Sequence, residues 1–291
     1  MSDDFDSDWE VRIGQRQVYG RGLERRFFGD LFHHCMATSW PRLILCFVLF
    51  ALAVNIFFSL AFYVVDGSVK GAHPPGYWEI FFFTWQLLGT VSFGGFLPGN
   101  LYGHALATLE IMVGVGSAAV MTGLIFARFT RPQAHIVFAR HPVIGRHRGG
   151  RALMLRVANS RHNFLSDANA KLWLVLDDDA QTARRFHRLT LERDDSPLFA
   201  LSWSLFHPID TTSPLYGLSP DDLMRRRGLI IAIVSGHDEN YGQDVRARHQ
   251  WEPESIRWNH RYVDIFRHPR AGVEHVDFNQ FHATVPAPEG E

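Results

Sequence analysis

The chain has 291 residues, a formal net charge of -1 at pH 7, 46% hydrophobic residues and 13% aromatic residues. This composition excludes a wholly disordered protein, and the balanced charge gives no sign of nucleic acid as a partner. Charge is sparse between residues 43 and 127, where only Asp66, Lys70, Glu79 and Glu110 are charged. The sequence therefore predicts a membrane part followed by a water-soluble part.

Residues 1–29 are polar, and no long apolar run precedes residue 43. We therefore expect a mostly loose cytoplasmic arm rather than a cleaved signal peptide. In residues 30–40, apolar side chains from Leu31 to Trp40 recur at near-helical spacing, and Asp30 stands where a helix N-cap is expected. This segment predicts a short amphipathic helix in the membrane interface, or alternatively a helix packed in solvent.

Three apolar segments follow. Residues 43–65 and 101–127 each exceed the roughly 20 residues that a bilayer core requires, so both predict transmembrane helices. Residues 77–88 are too few to cross and predict a re-entrant helix that ends inside the membrane. The three segments together predict a transmembrane pore domain over residues 41–131. Glu110 is the single charge in the second span, and its partner is either a filter-supporting group or His104, between which the sequence does not decide.

The orientation follows from the basic residues at the ends of the two spans. Near the spans, basic residues stand before the first (Arg21, Arg25, Arg26 and Arg42) and after the second (Arg128, Arg131 and Arg140), whereas the only Lys or Arg in the connection between the spans is Lys70. Basic residues are enriched on the cytoplasmic side, so we expect a multi-pass protein of the plasma (inner) membrane with both termini in the cytoplasm.

From Pro132 onward the apolar pattern changes to the period of two that is typical of strands. Short β-type runs are separated by Gly, Pro, Asp and Asn residues, and these runs are residues 134–138, 152–157, 171–176, 186–192, 199–206 and 229–236. Ser219 and Gly228 bound a short predicted helix. We predict a cytoplasmic, immunoglobulin-like β-sandwich over residues 132–285, with a tail over 286–291.

The segment after the re-entrant helix, Thr90-Val91-Ser92-Phe93-Gly94, carries the functional prediction. Non-helical backbone at membrane depth is tolerated only where it is buried in protein or lines a watery cavity. A helix that stops half-way, an extended segment and a return loop therefore indicate a pore. We find no nucleophile and base in a catalytic arrangement, no phosphate loop and no metal-ligand spacing, so no enzyme and no cofactor are expected.

With its segments in this order, the chain resembles members of the prokaryotic branch of the inward-rectifier potassium channel family. Besides the pore segment, the resemblance rests on four motifs: Ser-Trp-Pro-Arg at 39–42, Ala-Arg-Phe-Thr-Arg-Pro at 127–132, residues 201–210 and residues 243–249. It covers the chain from about residue 30 to 280. The fold it implies is two transmembrane helices with a re-entrant pore helix and filter, plus the β-sandwich, that is, membrane α plus β.

The resemblance implies a homotetramer in which backbone carbonyls replace the hydration shell of K+. The carbonyls would be those of Thr90, Val91, Ser92 and Phe93, followed by Gly94, with the Thr90 hydroxyl as a further ligand. No cofactor is implied besides the permeant ions. Trp85 and Gln86 stand where the family supports the filter.

Four residues depart from the family pattern. Ser92 stands at a glycine position, Phe93 at a tyrosine, Gln86 at a glutamate and Gly95 at an aspartate. A carbonyl that points at the pore axis needs backbone angles that cost an L-residue about 1–2 kcal/mol. These changes leave three functions open: a K+ channel, a poorly selective monovalent cation channel that also passes Na+, and a non-conducting membrane sensor.

Residues of the second span are assigned by the same resemblance. Phe126 matches the bulky side chain that closes the pore, although packing against lipid or another helix is the alternative. Gly114 and Gly123 match the bends of the inner helix, and small-residue packing explains Gly114 equally well. Ala118 stands where strong rectifiers carry an acidic residue in the cavity, so we expect weak rectification.

Two further sets are assigned in the same way. Arg42, Arg128 and Arg131 would bind anionic phospholipid or a phosphoinositide, while simple anchoring at the inner leaflet is the alternative. Gly236, Asp238 and Glu239 lie in a loop that narrows the cytoplasmic conduit in this family. The two carboxylates would attract cations there, or would be ordinary solvated turn residues.

Overall fold

The computed structural model describes residues 9–13, 16–20, 31–161, 163–177, 184–270 and 273–287. The chain forms two compact units. One comprises residues 24–131, and the other comprises residues 132–291 together with residues 1–23.

The N-terminal residues contain a β-hairpin, which corrects the prediction of a loose arm. Strands β1 (Trp9–Ile13) and β2 (Arg16–Gly20) pair antiparallel. The sequence alternates apolar and polar residues at Trp9, Val11 and Ile13, which is the strand period. The pattern is short and has charged residues on both sides, so the strand was not predicted. The predicted N-cap Asp30 lies outside the described residues.

The membrane unit begins with α1 (Leu31–Ala37) and α2 (Trp40–Val64). The predicted interfacial helix over 30–40 is therefore shorter, and Trp40 belongs to the next helix. Ser39 has extended backbone angles at the N-cap of α2, and Pro41 follows in its first turn. Proline is tolerated there because its missing N–H would have no partner within the helix.

The rest of this unit alternates short strands and helices. Strand β3 (Val69–Gly71) precedes α3 (Tyr77–Leu88), and β4 (Phe96–Pro98) precedes α4 (Leu101–Phe129). The two strands pair antiparallel. Helix α3 has the bounds predicted from sequence, and α2 and α4 are both long and apolar enough to span a membrane. A small buried cluster joins these elements, and it contains Phe62, Val69, Ile80, Phe83 and Ala107.

The second unit is a β-sandwich of two five-stranded sheets. Its strands are β5 (Ile136–Phe138), β6 (Val143–His147), β7 (Gly150–Asn159), β8 (Leu165–Asp177), β9 (Arg184–Leu189), β10 (Asp195–Phe199), β11 (Ser202–Pro208), β12 (Leu229–Asp238), β13 (Gln243–Trp251) and β14 (Arg257–Trp258). One sheet has the order β10-β8-β12-β13 with β9 beside β8, and the other has the order β11-β7-β6-β14 with β5 beside β7. Leu153 and Leu155 of one sheet and Leu172 and Leu174 of the other share the core.

Two further two-stranded sheets complete the unit. Strands β15 (His260–Tyr262) and β18 (Thr284–Pro286) pair antiparallel, as do β16 (Phe266–Arg270) and β17 (Val273–Val276). Short 3₁₀ helices occupy Pro253–Ser255 and Phe278–Gln280. The predicted short helix is α5 (Pro220–Arg225), with Ser219 accepting from the Asp222 N–H as its cap.

One predicted strand is wrong. Residues 199–206 do not form a single strand, because Phe199 ends β10 and Ser202 begins β11. The two strands belong to different sheets. Ala200 and Leu201 make this transition without glycine or proline, so the sequence contains no ordinary turn signal there.

Candidate pore segment

The pore segment begins where the backbone folds back onto the end of α3. The Thr90 N–H donates to the Leu87 carbonyl at 3.0 Å, and the Val91 N–H donates to the Gln86 carbonyl at 2.8 Å. Thr90 has a φ of 55°. This left-handed conformation costs an L-residue about 1–2 kcal/mol, and such strain concentrates at functional sites. Helix α3 therefore ends at a strained reversal, not at a flexible turn.

The residues after Thr90 are non-helical up to β4. Gly94 has a φ of 78°, whereas Ser92 lies outside the left-handed region. The prediction of backbone strain at Ser92 is therefore wrong, because the positive φ angles in this segment belong to Thr90 and Gly94. The Ser92 hydroxyl accepts from the Gly94 N–H at 3.3 Å. The Phe93 side chain is 80% exposed in the single chain.

Trp85 and Gln86 lie on the last turn of α3. The Trp85 ring stacks on Phe81 with 6.4 Å between centroids, and Gln86 contributes its backbone carbonyl to Val91. In the described part of the chain, no hydrogen bond joins either side chain to residues 90–94. The structure therefore gives both residues a place beside the pore segment, and their supporting role stays a prediction.

Buried polar side chains orient α3 against α2, a role that was not predicted from the sequence. Asn55 donates to the Phe81 carbonyl at 3.3 Å, and Ser59 lies 3.3 Å from the Tyr77 hydroxyl. Thr84 donates to the same Phe81 carbonyl at 2.9 Å. Asn55 and Ser59 are four residues apart on one face of α2. Two polar residues at this helical spacing in an apolar span are the sequence signal from which the contact with α3 could have been predicted.

Gly114 is a close-contact position between α4 and α3. A Cβ built on Gly114 would lie 2.2 Å from the Leu88 carbonyl oxygen, which is too close for any side chain. Gly123 has no such neighbour, and Ala118 is exposed in the single chain. Helix α4 continues through both glycines. Packing alone therefore requires glycine at Gly114, and the hinge role of Gly114 and Gly123 stays a prediction.

Glu110 lies on the buried face of α4, one turn before Gly114. Its side chain is 0% exposed, and neither carboxyl oxygen has a hydrogen-bond partner among the described residues. A pair with His104, the candidate named from sequence, is not formed. The exposed Phe126 ring lies one turn before the end of the same helix, with 69% of its surface accessible.

The three arginines assigned to lipid binding have different surroundings. Arg128 donates to the carbonyls of Cys35 and Thr38, and its guanidinium lies 5.0 Å from the Trp40 ring centroid. It therefore connects the end of α4 to the junction of α1 and α2. Arg42 and Arg131 are exposed. These two are the arginines whose surfaces are accessible to a ligand in the single chain.

The predicted loop over Gly236, Asp238 and Glu239 begins later than expected, because Gly236 and Asp238 belong to β12 and only Glu239 follows it. Gly236 lies at an irregularity in the β12–β8 pairing. The Asp238 side chain is buried, with the residue 2% exposed, and lies 3.8 Å from the Arg161 guanidinium. Glu239 is exposed. Asp238 is therefore neither a solvated turn residue nor an accessible acidic group in the single chain.

The comparisons with known proteins agree with this architecture. The family model described as "Inward rectifier potassium channel C-terminal domain" matches residues 136–290. The chain is 35% identical over 273 residues to "Inward rectifier potassium channel Kirbac3.1" of Paramagnetospirillum magnetotacticum, covering 92% of each chain. It is 26% identical to "ATP-sensitive inward rectifier potassium channel 11" of Cavia porcellus, covering 90% of this chain and 74% of the relative.

The chain belongs to the inward rectifier potassium channel family. A more distant member, "Inward rectifier potassium channel irk-1" of Caenorhabditis elegans, is 24% identical, with 90% of this chain and 53% of the relative covered. The family consists of membrane ion channels and is not enzymatic. The resemblance named from sequence, the membrane α plus β fold and the absence of an enzyme class are thereby confirmed.

Proposed function

We propose that four copies of the chain surround one pore and conduct K+ through a filter of backbone carbonyls from residues 90–94. Two spans cannot enclose a pore, so conduction requires several copies. The carbonyls of Thr90, Val91, Ser92 and Phe93 would bind the ion, together with the Thr90 hydroxyl. The names of the relatives support K+ as the permeant ion.

The observation that carries this proposal is the reversal at the end of α3. A 12-residue helix between two apolar helices ends at Leu88, and two residues later Thr90, with a φ of 55°, directs the chain into non-helical backbone. Such backbone is stable at membrane depth only beside protein or water. A simple membrane anchor would need neither the half-length helix nor the strained reversal.

A poorly selective cation channel is the second candidate. The carbonyl positions depend on the packing behind the filter, and Gln86, Ser92, Phe93 and Gly95 all differ from the family pattern at or beside it. The Ser92 hydroxyl bonds to the Gly94 N–H at 3.3 Å, so serine adds a side-chain contact that glycine cannot make. This contact favours an altered filter geometry.

The remaining parts of the proposal concern gating and location. Movement of Phe126 away from the axis would open the inner end of the pore, because a hydrophobic constriction excludes water. Anionic phospholipid at Arg42 and Arg131, with Arg128 linking α4 to the α1–α2 junction, would couple the membrane to this gate. Both termini would face the cytoplasm, and the absence of an acidic residue at Ala118 would leave rectification weak.

Flux of K+ and Na+ through the purified protein in liposomes tests the proposal. The unaltered chain and Ser92→Gly are compared, each with and without anionic phospholipid. We expect K+ flux to exceed Na+ flux and to depend on the anionic lipid. Equal fluxes that become selective in Ser92→Gly would establish the poorly selective channel instead. If neither chain passes ions even with Phe126→Ala, the protein is a non-conducting sensor.

A further inference from the structure

The β-sandwich contains a cavity of about 640 Å³ beside the connection between β7 and β8. Its walls are mainly apolar and include Val137, Phe164, Leu201, Phe278 and Phe281. Phe164, Leu201 and Phe278 each keep about half of their surface accessible, although their burial would be favourable. The volume lies within the range of small-molecule sites, about 300–1,000 Å³.

A buried amide group in the wall of this cavity lacks an acceptor. Asn163 lines the cavity and is only 8% exposed. The Asn159 side-chain amide donates both to the Asn163 carbonyl at 2.8 Å and to the Asn163 Oδ1 at 3.1 Å. These bonds fix the orientation of the Asn163 amide, because its oxygen must face Asn159. The Nδ2 atom is then left without a partner among the described residues, which is costly for a buried donor.

A second donor belongs to His282, which lines the same cavity. Its Nδ1 accepts from the Arg140 N–H at 3.3 Å, so a neutral ring carries its proton on Nε2. Burial, followed by the charges of Arg140 and His141, lowers the pKa of His282. The ring is therefore neutral at pH 7, and its surroundings are positive. Arg161 also lines the cavity, and Asp238 is its partner at 3.8 Å.

We infer that this cavity is a binding site for a small apolar, aromatic carboxylate. The apolar walls accept the ring system, and the carboxylate oxygens provide the acceptors that Asn163 and His282 lack. The positive surroundings favour an anion over a neutral acceptor. Arg161 also lies 3.8 Å from Asp238 and 5.1 Å from the Tyr241 ring centroid. A ligand that contacts Arg161 would therefore affect the position of the loop after β12. Any effect on ion flux through this link rests on the proposed channel function, whereas binding does not.

Calorimetric titration of the full-length protein in nanodiscs tests the site, with empty nanodiscs as the blank. The probe is 2-naphthoate, compared with neutral 2-naphthylmethanol. We expect 2-naphthoate to bind saturably and at least about tenfold more tightly, the effect of one charge-assisted hydrogen bond. Phe164→Ala should weaken binding, whereas the matched variant Phe186→Ala should not, because Phe186 is equally exposed but lies on β9 outside the cavity.

Asn163→Asp provides the decisive variant. It keeps the oxygen that accepts from Asn159 and replaces the unpartnered amide nitrogen by a second oxygen. We expect 2-naphthoate binding to fall by at least about tenfold and binding of the cation 2-naphthylmethylammonium to rise. The gain for the cation cannot come from a misfolded domain. Absent saturable binding, affinities unchanged in Asn163→Asp, or tighter binding of ATP than of 2-naphthoate would each overturn the assignment.

Discussion

Glu110 places a carboxyl group inside the membrane unit without a hydrogen-bond partner among the described residues. Breaking or omitting the partner of a buried charge is strongly destabilising, whereas a neutral side chain of the same shape avoids that cost. We therefore expect Glu110→Gln to raise the thermal unfolding temperature of the detergent-solubilised protein at pH 7. The free energy of unfolding should increase by about 1 kcal/mol or more.

The control is the other acidic residue in the apolar helices. The Glu79 carboxylate accepts from the Gly76 N–H at 2.8 Å and so caps α3. Glu79→Gln weakens this bond, and we expect a loss of about 0.5–1 kcal/mol. Equal destabilisation by both substitutions would show that Glu110 has a stabilising partner in the assembled protein.

His207 gives a prediction about pH. It is buried, its Nδ1 lies 2.7 Å from the Thr190 carbonyl, and its Nε2 lies 2.8 Å from the Ser213 hydroxyl. The Ser213 oxygen already accepts from the Leu215 N–H, so the hydroxyl proton is free to donate to Nε2. The bonds thus fit a neutral ring with its proton on Nδ1. Desolvation by burial lowers the pKa of His207 below its ordinary value of 6.5, although Thr190 and Asp210 oppose this.

The sign follows from proton uptake. Below pH 6.5 the unfolded chain binds a proton that the folded chain does not, so stability is complete above pH 6.5 and is lost as the pH falls towards the lowered pKa. The loss from one histidine is at most about 1.4 kcal/mol per pH unit. Thermal unfolding between pH 8 and pH 5 should be less pH-dependent in His207→Gln than in the matched variant His187→Gln, which replaces a partly exposed histidine. Equal slopes would contradict this account.

At the level of whole elements, α3 is held against α4 by the absence of a side chain at Gly114. A methyl group would meet the Leu88 carbonyl, immediately before the pore segment. Overpacking of this kind costs about 1–3 kcal/mol. We expect Gly114→Ala to lower the unfolding temperature and to reduce K+ selectivity in liposomes, because the end of α3 must move.

Gly116 is the matched position on the same helix. A Cβ there meets nothing within 4 Å, and alanine is favoured over glycine in a helix by about 0.5–1 kcal/mol. Gly116→Ala should therefore leave selectivity unchanged and raise stability slightly. A selectivity loss in both variants would point to helix flexibility as the cause, as the hinge prediction requires.

The same elements show what sequence alone can predict. Hydropathy and length locate α3 and the two long helices, because lipid imposes both properties on every span. The period of two locates β5, β7, β8, β9 and β12, but it misses the change of sheet within residues 199–206, where no turn residue stands. It also misses β6 and β13, which contribute Ile144 and Val245 to the core. The Gly114 contact, the Arg128 bonds and the burial of Asp238 depend on residues distant in sequence. No local pattern encodes such partners, although each residue was singled out from its motif.

At the scale of the whole molecule, the exposed apolar surface of α4 requires lipid or further copies of the chain. Met112, Val120, Phe126 and Phe129 are all largely exposed in the single chain. A soluble surface of this kind would aggregate, whereas a membrane helix in a multimer buries it. We expect native mass spectrometry of the detergent-released protein to show a tetramer. A monomer that still passes ions would contradict the proposed pore.

The gate assignment distinguishes two phenylalanines near the end of α4. Phe129 packs on the Trp40 ring of its own chain, with 5.4 Å between centroids. Phe126 makes no ring contact in the described part of the chain. Its side chain can therefore contact Phe126 of the other subunits in a tetramer. If it closes the pore by excluding water, alanine at this position widens and wets the constriction. We expect Phe126→Ala to raise basal flux several-fold and Phe129→Ala to leave flux near that of the unaltered chain while lowering stability. Similar flux from both variants would place the constriction elsewhere on α4.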